Sequence, residues 1–378
     1  MVRQRAGRSE RPSRVMRIGI DACRLHGAMS GIGRYLHGLL APLNGCMPDA
    51  EFVLYSNAPL SIALPSARWS VRLDDSAMSR RLPSVLWTRY RLAALAGRDR
   101  LDVFWAANTL VPRGLTGLPV VTTVYDLNHL IVPRSMPLIN RSAHRLWLAD
   151  DVRSAEKAVA ISCGTSTRML ERLGRAADAI APPGTPLADI SMTLADAESR
   201  LAAMKVRRPY VLAVGTREPR KNLASAMQAM ARLRQEGAFA DYLLVLAGSP
   251  GWGRDAASGG TPDGVVPLGY VDDDQLAALY ACAEVFVFPS LYEGFGIPVL
   301  EALQFGCRVV ASDLAELREA GGPDIVYVRP EPAAIADGIR SALSKPRPMP
   351  RPPRFDWRHS ARIMGDVLRL AAERGPTS

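Results

Sequence analysis

Twice along the chain, short continuous apolar runs take turns with stretches of helical period, and few folds accept that pattern. RIGI (17–20), EFVLYS (51–56), LDVFWA (101–106), PVVTTVYD (119–126) and KAVAIS (157–162) form the first series. YVLAVG (210–215), YLLVLAG (242–248), VVPLG (265–269), VFVFPS (285–290), RVVAS (308–312) and IVYV (325–328) form the second. Runs without polar alternation suit strands covered on both faces, as in parallel sheets. Helical patterns at 222–236, 273–283 and 298–306 separate them. Strands and helices in this order predict an α/β protein with two doubly wound domains. The expected first domain covers 16–185 and the second 206–345, with the Pro/Gly-rich APPGTPL at 181–187 opening the boundary. PRPMPRPPRF (346–355) carries five prolines and excludes helix or central strand. After it, 356–373 is amphipathic, with Ile363, Met364, Val367, Leu368 and Leu370 clustered. That pattern predicts a final helix returning to the first domain.

Composition narrows the class. With 48% hydrophobic and 22% charged residues, the 378-residue chain is globular, not fibrous or disordered. No apolar run reaches the ~18 residues a membrane span needs. The basic N-terminus leads into charged RIGIDACRLHG, which is not a secretory signal. Cys23, Cys46, Cys163, Cys282 and Cys307 are scattered and read as reduced thiols of a cytosolic protein. Residues 1–190 hold 25 of 47 basic and 15 of 37 acidic residues, so the net +10 lies entirely in that half. Such a bias suits an anionic partner, or simply an Arg-rich solvated surface. Residues 1–15 supply five of these arginines and one glutamate and read as a disordered tail, with Met16 a possible alternative start.

EGFGIPVLE (293–301) follows the strand VFVFPS, and Pro298 suits the first position of the next helix. The segment therefore lies at the carboxyl end of a parallel strand, where ligands of doubly wound sheets bind. Gly294 and Gly296 permit a sharp turn and close approach, and the free amides near 295–299 form an anion site. Glu293 in the loop and Glu301 in the first helical turn are placed to accept hydrogen bonds from sugar hydroxyls. An ordinary βα loop explains the segment equally well when it is taken alone. GTREPRKN (215–222) occupies the corresponding place after strand 210–215. Its Arg217, Arg220 and Lys221 suit a diphosphate.

Other motifs are weaker. DDD (272–274) reads as a helix cap, Asp272 with Gln275, in preference to a metal-binding acidic pair. No His/Cys cluster has metal-ligand spacing. SGIGRY is not a full dinucleotide fingerprint. Asp21, just after the first strand, is as readily a structural hydrogen-bonder as a site residue. The segment 80–98, with Leu82, Val85, Leu86, Tyr90 and Leu95 among arginines, reads first as packing and second as contact with an anionic membrane.

Taken together, GTREPRKN, LGYVDDDQLAALYACAEVFVFPSLYEGFGIPVLEALQFGCRVVASD and the closing FDW resemble the retaining glycosyltransferases of family 4, which have the GT-B fold. RIGIDACRLHGAMSGIGRYLHGLL and TTVYDLNHLIVP are similar to that family's opening Gly-rich loop and its His-Asp-Leu segment. The resemblance runs from Met16 over nearly the whole chain. It implies two Rossmann-like domains facing across a cleft, with the final helix returning to the first. It implies that Glu293 binds the donor sugar and Glu301 the ribose, and that Arg220 and Lys221 hold the diphosphate, with Thr216 and Arg217 alongside. Gly294, Phe295 and Gly296 would face the sugar or diphosphate, Tyr270 and Val271 the base. Gly31 and Gly33 would let a helix start approach across the cleft. Where many relatives have His-Asp, this chain has Tyr125-Asp126. Asp126 is therefore the catalytic candidate on the acceptor side, with His129 near it.

The implied activity is metal-independent, retaining transfer of a hexose from a nucleotide-diphospho-sugar to a glycan hydroxyl. Mannose from GDP-mannose is the first expectation; rhamnose and N-acetylglucosamine stay open. No cofactor is expected beyond this co-substrate. The expected acceptor is a lipid-linked glycan in surface polysaccharide or O-antigen assembly. The expected location is cytoplasmic, peripheral at the inner membrane face, with no nucleic-acid partner. A sugar-nucleotide epimerase or phosphorylase of the same fold, and a non-catalytic basic scaffold, are the alternatives.

Overall fold

A computed structural model describes residues 15–27, 29, 31–251 and 262–373. The basic stretch 1–15 lies outside the described residues except for Val15, as does Ser30 of SGIGRY. Among the described residues there are thirteen strands: β1 Met16–Asp21, β2 Ala50–Ser56, β3 Trp69–Leu73, β4 Val103–Ala106, β5 Val120–Val124, β6 Lys157–Ala160, β7 Ala179–Ile180, β8 Tyr210–Val214, β9 Leu243–Ala247, β10 Val265–Gly269, β11 Val285–Phe288, β12 Arg308–Ser312 and β13 Val326–Val328. They form two sheets, ordered β3-β2-β1-β4-β5-β6-β7 and β10-β9-β8-β11-β12-β13. Every pairing is parallel, with Ile18 beside both Phe52 and Val103 in the first sheet and Val285 beside Val211 in the second.

The order decides where a ligand can enter. In each sheet the chain winds outward from a central strand, then restarts on that strand's other side. The reversals fall between β1 and β4 and between β8 and β11. At such a switch point the loops on the two strands' carboxyl ends diverge and leave a crevice. GTREPRKN leaves β8 and SLYEGFG leaves β11, so these two loops border the second sheet's crevice.

Both sheets are apolar on both faces. Ile18, Phe52 and Val103 are fully buried on one face of the first and Tyr55 and Phe104 on the other, as are Val211, Leu212, Val285 and Phe286 in the second. The segment 80–98 breaks into three short helices around Pro83 and Arg91. Val85 and Trp87 bury there and Tyr90 stays exposed, so the segment mainly packs on its own sheet.

The proline-rich strap crosses the second half. Arg347 donates to the carbonyls of Ala281 and Ala283, and Arg351 pairs with Asp324. The chain then enters helix Trp357–Glu373, which lies against helix Gly31–Cys46 of the first half. Gly38 makes room: a Cβ there would lie 2.5 Å from the Trp357 indole. Ser360 donates to the Pro182 carbonyl, and Arg369 to the Cys46 carbonyl at 2.8 Å. Met364 and Leu368 are fully buried. Leu368→Ala should therefore cost ~2–5 kcal/mol, as for other buried leucines. Urea or thermal unfolding checks this, and an unchanged midpoint would show the helix undocked.

Candidate active site

The loop after β8 turns at Gly215, whose φ of 137° favours glycine. A Cβ there would crowd the Lys221 side chain at 3.2 Å. A short 3-10 turn, Pro219–Lys221, ends at Asn222, which adopts the left-handed conformation. Asn222 donates its amide to the carbonyls of Pro289 (3.1 Å) and Pro330 (2.8 Å), and the Leu291 amide donates to the Arg220 carbonyl (2.8 Å). The two loops are thereby tied by the Asn222 side chain and by one backbone bond.

Their side chains meet in a buried ionic cluster. Glu293, 7% exposed, has one carboxylate oxygen 2.7 Å from Arg220 Nη1 and the other 2.8 Å from Lys221 Nζ. Arg220 also donates to the Tyr292 carbonyl at 2.9 Å and to Glu218 at 2.6 Å. Lys221 Nζ sits 4.6 Å from the Phe288 ring centre. Burial pushes the Glu293 carboxyl up, but Arg220 and Lys221 outweigh it and hold it at about 2. Burial lowers Lys221, against the pull of Glu293, while Glu293 and Glu218 raise Arg220 despite its burial. The Nε atoms of Arg217 and Arg220 are buried without a hydrogen-bond partner among the described residues. Glu218 was absent from the sequence-based candidates, although it stands inside GTREPRKN between two of the arginines.

Helix Ile297–Gln304 begins one residue earlier than expected, with Pro298 second. Glu301 therefore lies in the second turn, not the first, and points inward. It accepts a hydrogen bond from the Tyr280 hydroxyl at 3.0 Å. Burial raises it to about 7, with Arg34 and Tyr280 acting the other way. Arg34, from the first half, pairs with Asp273 at 3.2 Å. Asp272 and Gln275 make the reciprocal cap, at 2.7 and 3.1 Å, that their spacing suggests. Tyr270 is 66% exposed, and Val271 is buried. Among the described residues, no group of three His, Cys, Asp or Glu is arranged to hold a metal ion.

The first half meets this loop directly. A Cβ on Gly294 would lie 2.0 Å from the Tyr125 carbonyl oxygen, so only glycine fits. Tyr292 Oη accepts from the Leu127 amide at 2.9 Å. Tyr125 is committed elsewhere: its hydroxyl donates to the Ala107 carbonyl (2.7 Å) and its ring stands edge-on to Tyr35. Asp126 accepts from the Asn128 amide at 2.9 Å, an Asx turn that leads into the His129 helix start. His129 is buried 5.6 Å from the His144 ring, and burial, then His144, lowers it to about 4. Phe295 is buried edge-on to Phe355 of the strap, and Gly296, at φ 110°, lies under Leu317. Gly33 is required because a Cβ would lie 2.5 Å from the Arg24 carbonyl, whereas Gly31 faces open space. Asp21 proves structural: it accepts from the Cys23 amide and the Thr88 hydroxyl.

Two all-parallel Rossmann-like sheets whose carboxyl-edge loops meet at one cleft, with a carboxylate held by two cations between them, define a GT-B architecture. Residues 208–345 match the family described as glycosyl transferases, group 1. The O-antigen chain mannosyltransferase B of Escherichia coli is 31% identical over 317 residues, 78% of this chain and 81% of that one. The chain belongs to the group 1 glycosyltransferases. Among solved structures, sucrose-phosphate synthase from Thermosynechococcus elongatus superposes with TM-score 0.65 at 19% identity, covering 96% of this chain and 95% of that one. WaaG, a glycosyltransferase involved in lipopolysaccharide biosynthesis, gives 0.64 at 16% identity, covering 94% and 98%.

The raised Glu301 carboxyl has a stability signature. A carboxyl with folded value about 7 and ordinary value 4.5 binds its proton more tightly when folded. The free protein therefore loses that stability as pH rises from about 4.5 to about 7. Glu301→Gln has no such titration. Its melting midpoint should gain on wild type across this window, and a constant difference would refute the buried, raised carboxyl.

Proposed function

We propose that this glycosyltransferase moves mannose from GDP-mannose, with retention, to a hydroxyl of a lipid-linked glycan in O-antigen or related surface polysaccharide assembly. The observation that carries the reading is the Glu293–Arg220–Lys221 cluster at the second sheet's switch point. The Escherichia coli relative, an O-antigen chain mannosyltransferase, supports the choice of sugar.

In this reading the donor diphosphate lies over the start of helix Ile297–Gln304, with Thr216 and Arg217 beside it, and the Gly294–Gly296 turn faces the sugar. Arg220 and Lys221 take up the charge that develops on the leaving phosphate, which makes a metal unnecessary. Glu293 holds the sugar hydroxyls, Glu301 the ribose, and Tyr270 with Val271 the base. Gly31 and Gly33 bring the helix Gly31–Cys46 start to the cleft's far wall. The bond from the sugar's anomeric carbon to the phosphate oxygen breaks, and its electron pair leaves with the diphosphate. The acceptor oxygen bonds to the same face, and its proton passes to the departing phosphate. Asp126 orients the acceptor hydroxyl.

Two measurements test this together. Magnesium-free GDP at ~100 times its Kd should stabilise the protein by about 2.7 kcal/mol. Lys221→Ala and Glu293→Ala should each lower turnover of GDP-mannose by at least ~10²-fold, the size of a lost transition-state contact. Stabilisation by UDP alone would replace the donor, and wild-type turnover in either variant would remove that residue from the mechanism.

The acceptor's lipid implies a membrane nearby, and the protein works at the cytoplasmic face in this reading. Among the described residues, no helix is long and apolar enough to cross a membrane. Helix Leu138–Ser154 exposes Leu138 and Leu146 (67% each) and Ile139 (54%), with Arg141 and Arg145 beside them. Apolar side chains among arginines suit an anionic lipid surface. Changing Leu138 and Leu146 together to Glu should weaken flotation with phosphatidylglycerol vesicles by roughly tenfold or more, since each buried leucine is worth ~1.5 kcal/mol or above. Unchanged flotation would remove this face from the contact.

A further inference from the structure

Glu293 stands between two residues that the first half grips. On one side, the Tyr292 hydroxyl accepts the Leu127 amide. On the other, the Gly294 carbonyl accepts two hydroxyl donors, Ser162 at 2.7 Å and Thr165 at 3.1 Å. Both donors are fully buried. Ser162 follows β6 and caps helix Cys163–Leu173, its oxygen accepting from the Thr165 amide at 2.9 Å. One hydroxyl thus fixes a helix start in the first half and a loop in the second. Thr165 also reaches the Tyr125 carbonyl at 3.4 Å, the same atom that excludes a Cβ at Gly294. Only the Glu293 side chain turns back, to Arg220 and Lys221.

We infer that Ser162 and Thr165 are positioning residues for the transfer reaction: from the opposite sheet, they hold Gly294 and so set where the Glu293 carboxylate stands. Neither touches the reacting atoms. The geometry separates two tasks. Arg217, Arg220, Lys221 and Glu301 lie on the second half, so binding of the nucleoside diphosphate does not depend on the two hydroxyls. Turnover does, because the Glu293 loop takes its position only when the first half grips it. The docked halves carry further ties at the same place. Arg168 pairs with the buried Glu316 at 2.6 Å, and Glu319 accepts from the Cys163 amide at 2.8 Å.

The inference rests on the reading of Glu293 as the sugar-binding carboxylate, and the test separates the two. Turnover is measured with GDP-mannose and octyl mannoside as acceptor, and GDP binding by thermal shift. Thr165→Val keeps the shape and removes the hydroxyl; Thr165→Ser keeps the hydroxyl. Ser162→Gly removes the other donor and costs the helix start little. Thr165→Val and Ser162→Gly are each expected to lower kcat by roughly tenfold to hundredfold, the scale of a misplaced group. The KM for GDP-mannose should stay within about threefold and the GDP shift should stay unchanged, since the diphosphate, ribose and base contacts that carry most of the donor's binding are untouched. Thr165→Ser should turn over like wild type. Wild-type kcat in both hydroxyl-less variants overturns the inference, as does a parallel loss of GDP binding or a Thr165→Ser variant as slow as Thr165→Val. Glu293→Ala run alongside tells which idea has failed. If it is inactive while the hydroxyl-less variants are normal, only the positioning role falls; if it is active, the underlying reading falls.

Discussion

A carboxylate buried as deeply as Glu293 would be neutral unless cations met it, and here two do. Removing one partner of a buried ion pair typically costs ~3–5 kcal/mol, because the remaining charge stays desolvated. The cluster therefore demands that the loops after β8 and β11 arrive together. The Asn222 side-chain amide and the Leu291 backbone amide bring this about by tying the loops together. The strand order in turn places β8 beside β11, at the one point in the sheet where their loops can part and leave room for a ligand. Sheet topology, loop conformation and ionic cluster form one chain of requirements.

The same cluster explains how a charged site is kept ready. Arg220 lies between Glu218 and Glu293, so its guanidinium is oriented before any ligand arrives. Preoriented charge needs little rearrangement when a diphosphate takes its place. Glu301 is the counterpart that is not neutralised. Burial raises its proton affinity, and an arginine already paired with Asp273 and a tyrosine hydroxyl offset that only in part.

The strands were legible because parallel sheets leave continuous apolar runs, as in EFVLYS and VFVFPS. β3 has little apolar pattern to read because it is an edge strand in which only Trp69 is buried, and β7 because it is two residues long. Helix Leu194–Ala203 was equally silent, since it buries little beyond Ala197 and Leu201. Within the site, the residues carried on contiguous motifs could be named: Arg220, Lys221, Glu293 and Glu301. What joins distant segments could not. Nothing near Ser162 or Thr165 in the chain announces Gly294, and nothing in EGFGIPVLE announces that Gly294 packs on the Tyr125 carbonyl. Glu316, Glu319 and Arg34 act across the halves and carry no local signal at all.

Helix Trp357–Glu373 gives the molecule an order of completion. It covers the face of helix Gly31–Cys46, yet it follows that face by more than three hundred residues. Until the final turn has been made, Tyr35, Gly38, Cys46 and Met47 lack part of their cover. During synthesis the second half, which closes on itself, can finish first. The first half, begun earliest, is sealed last.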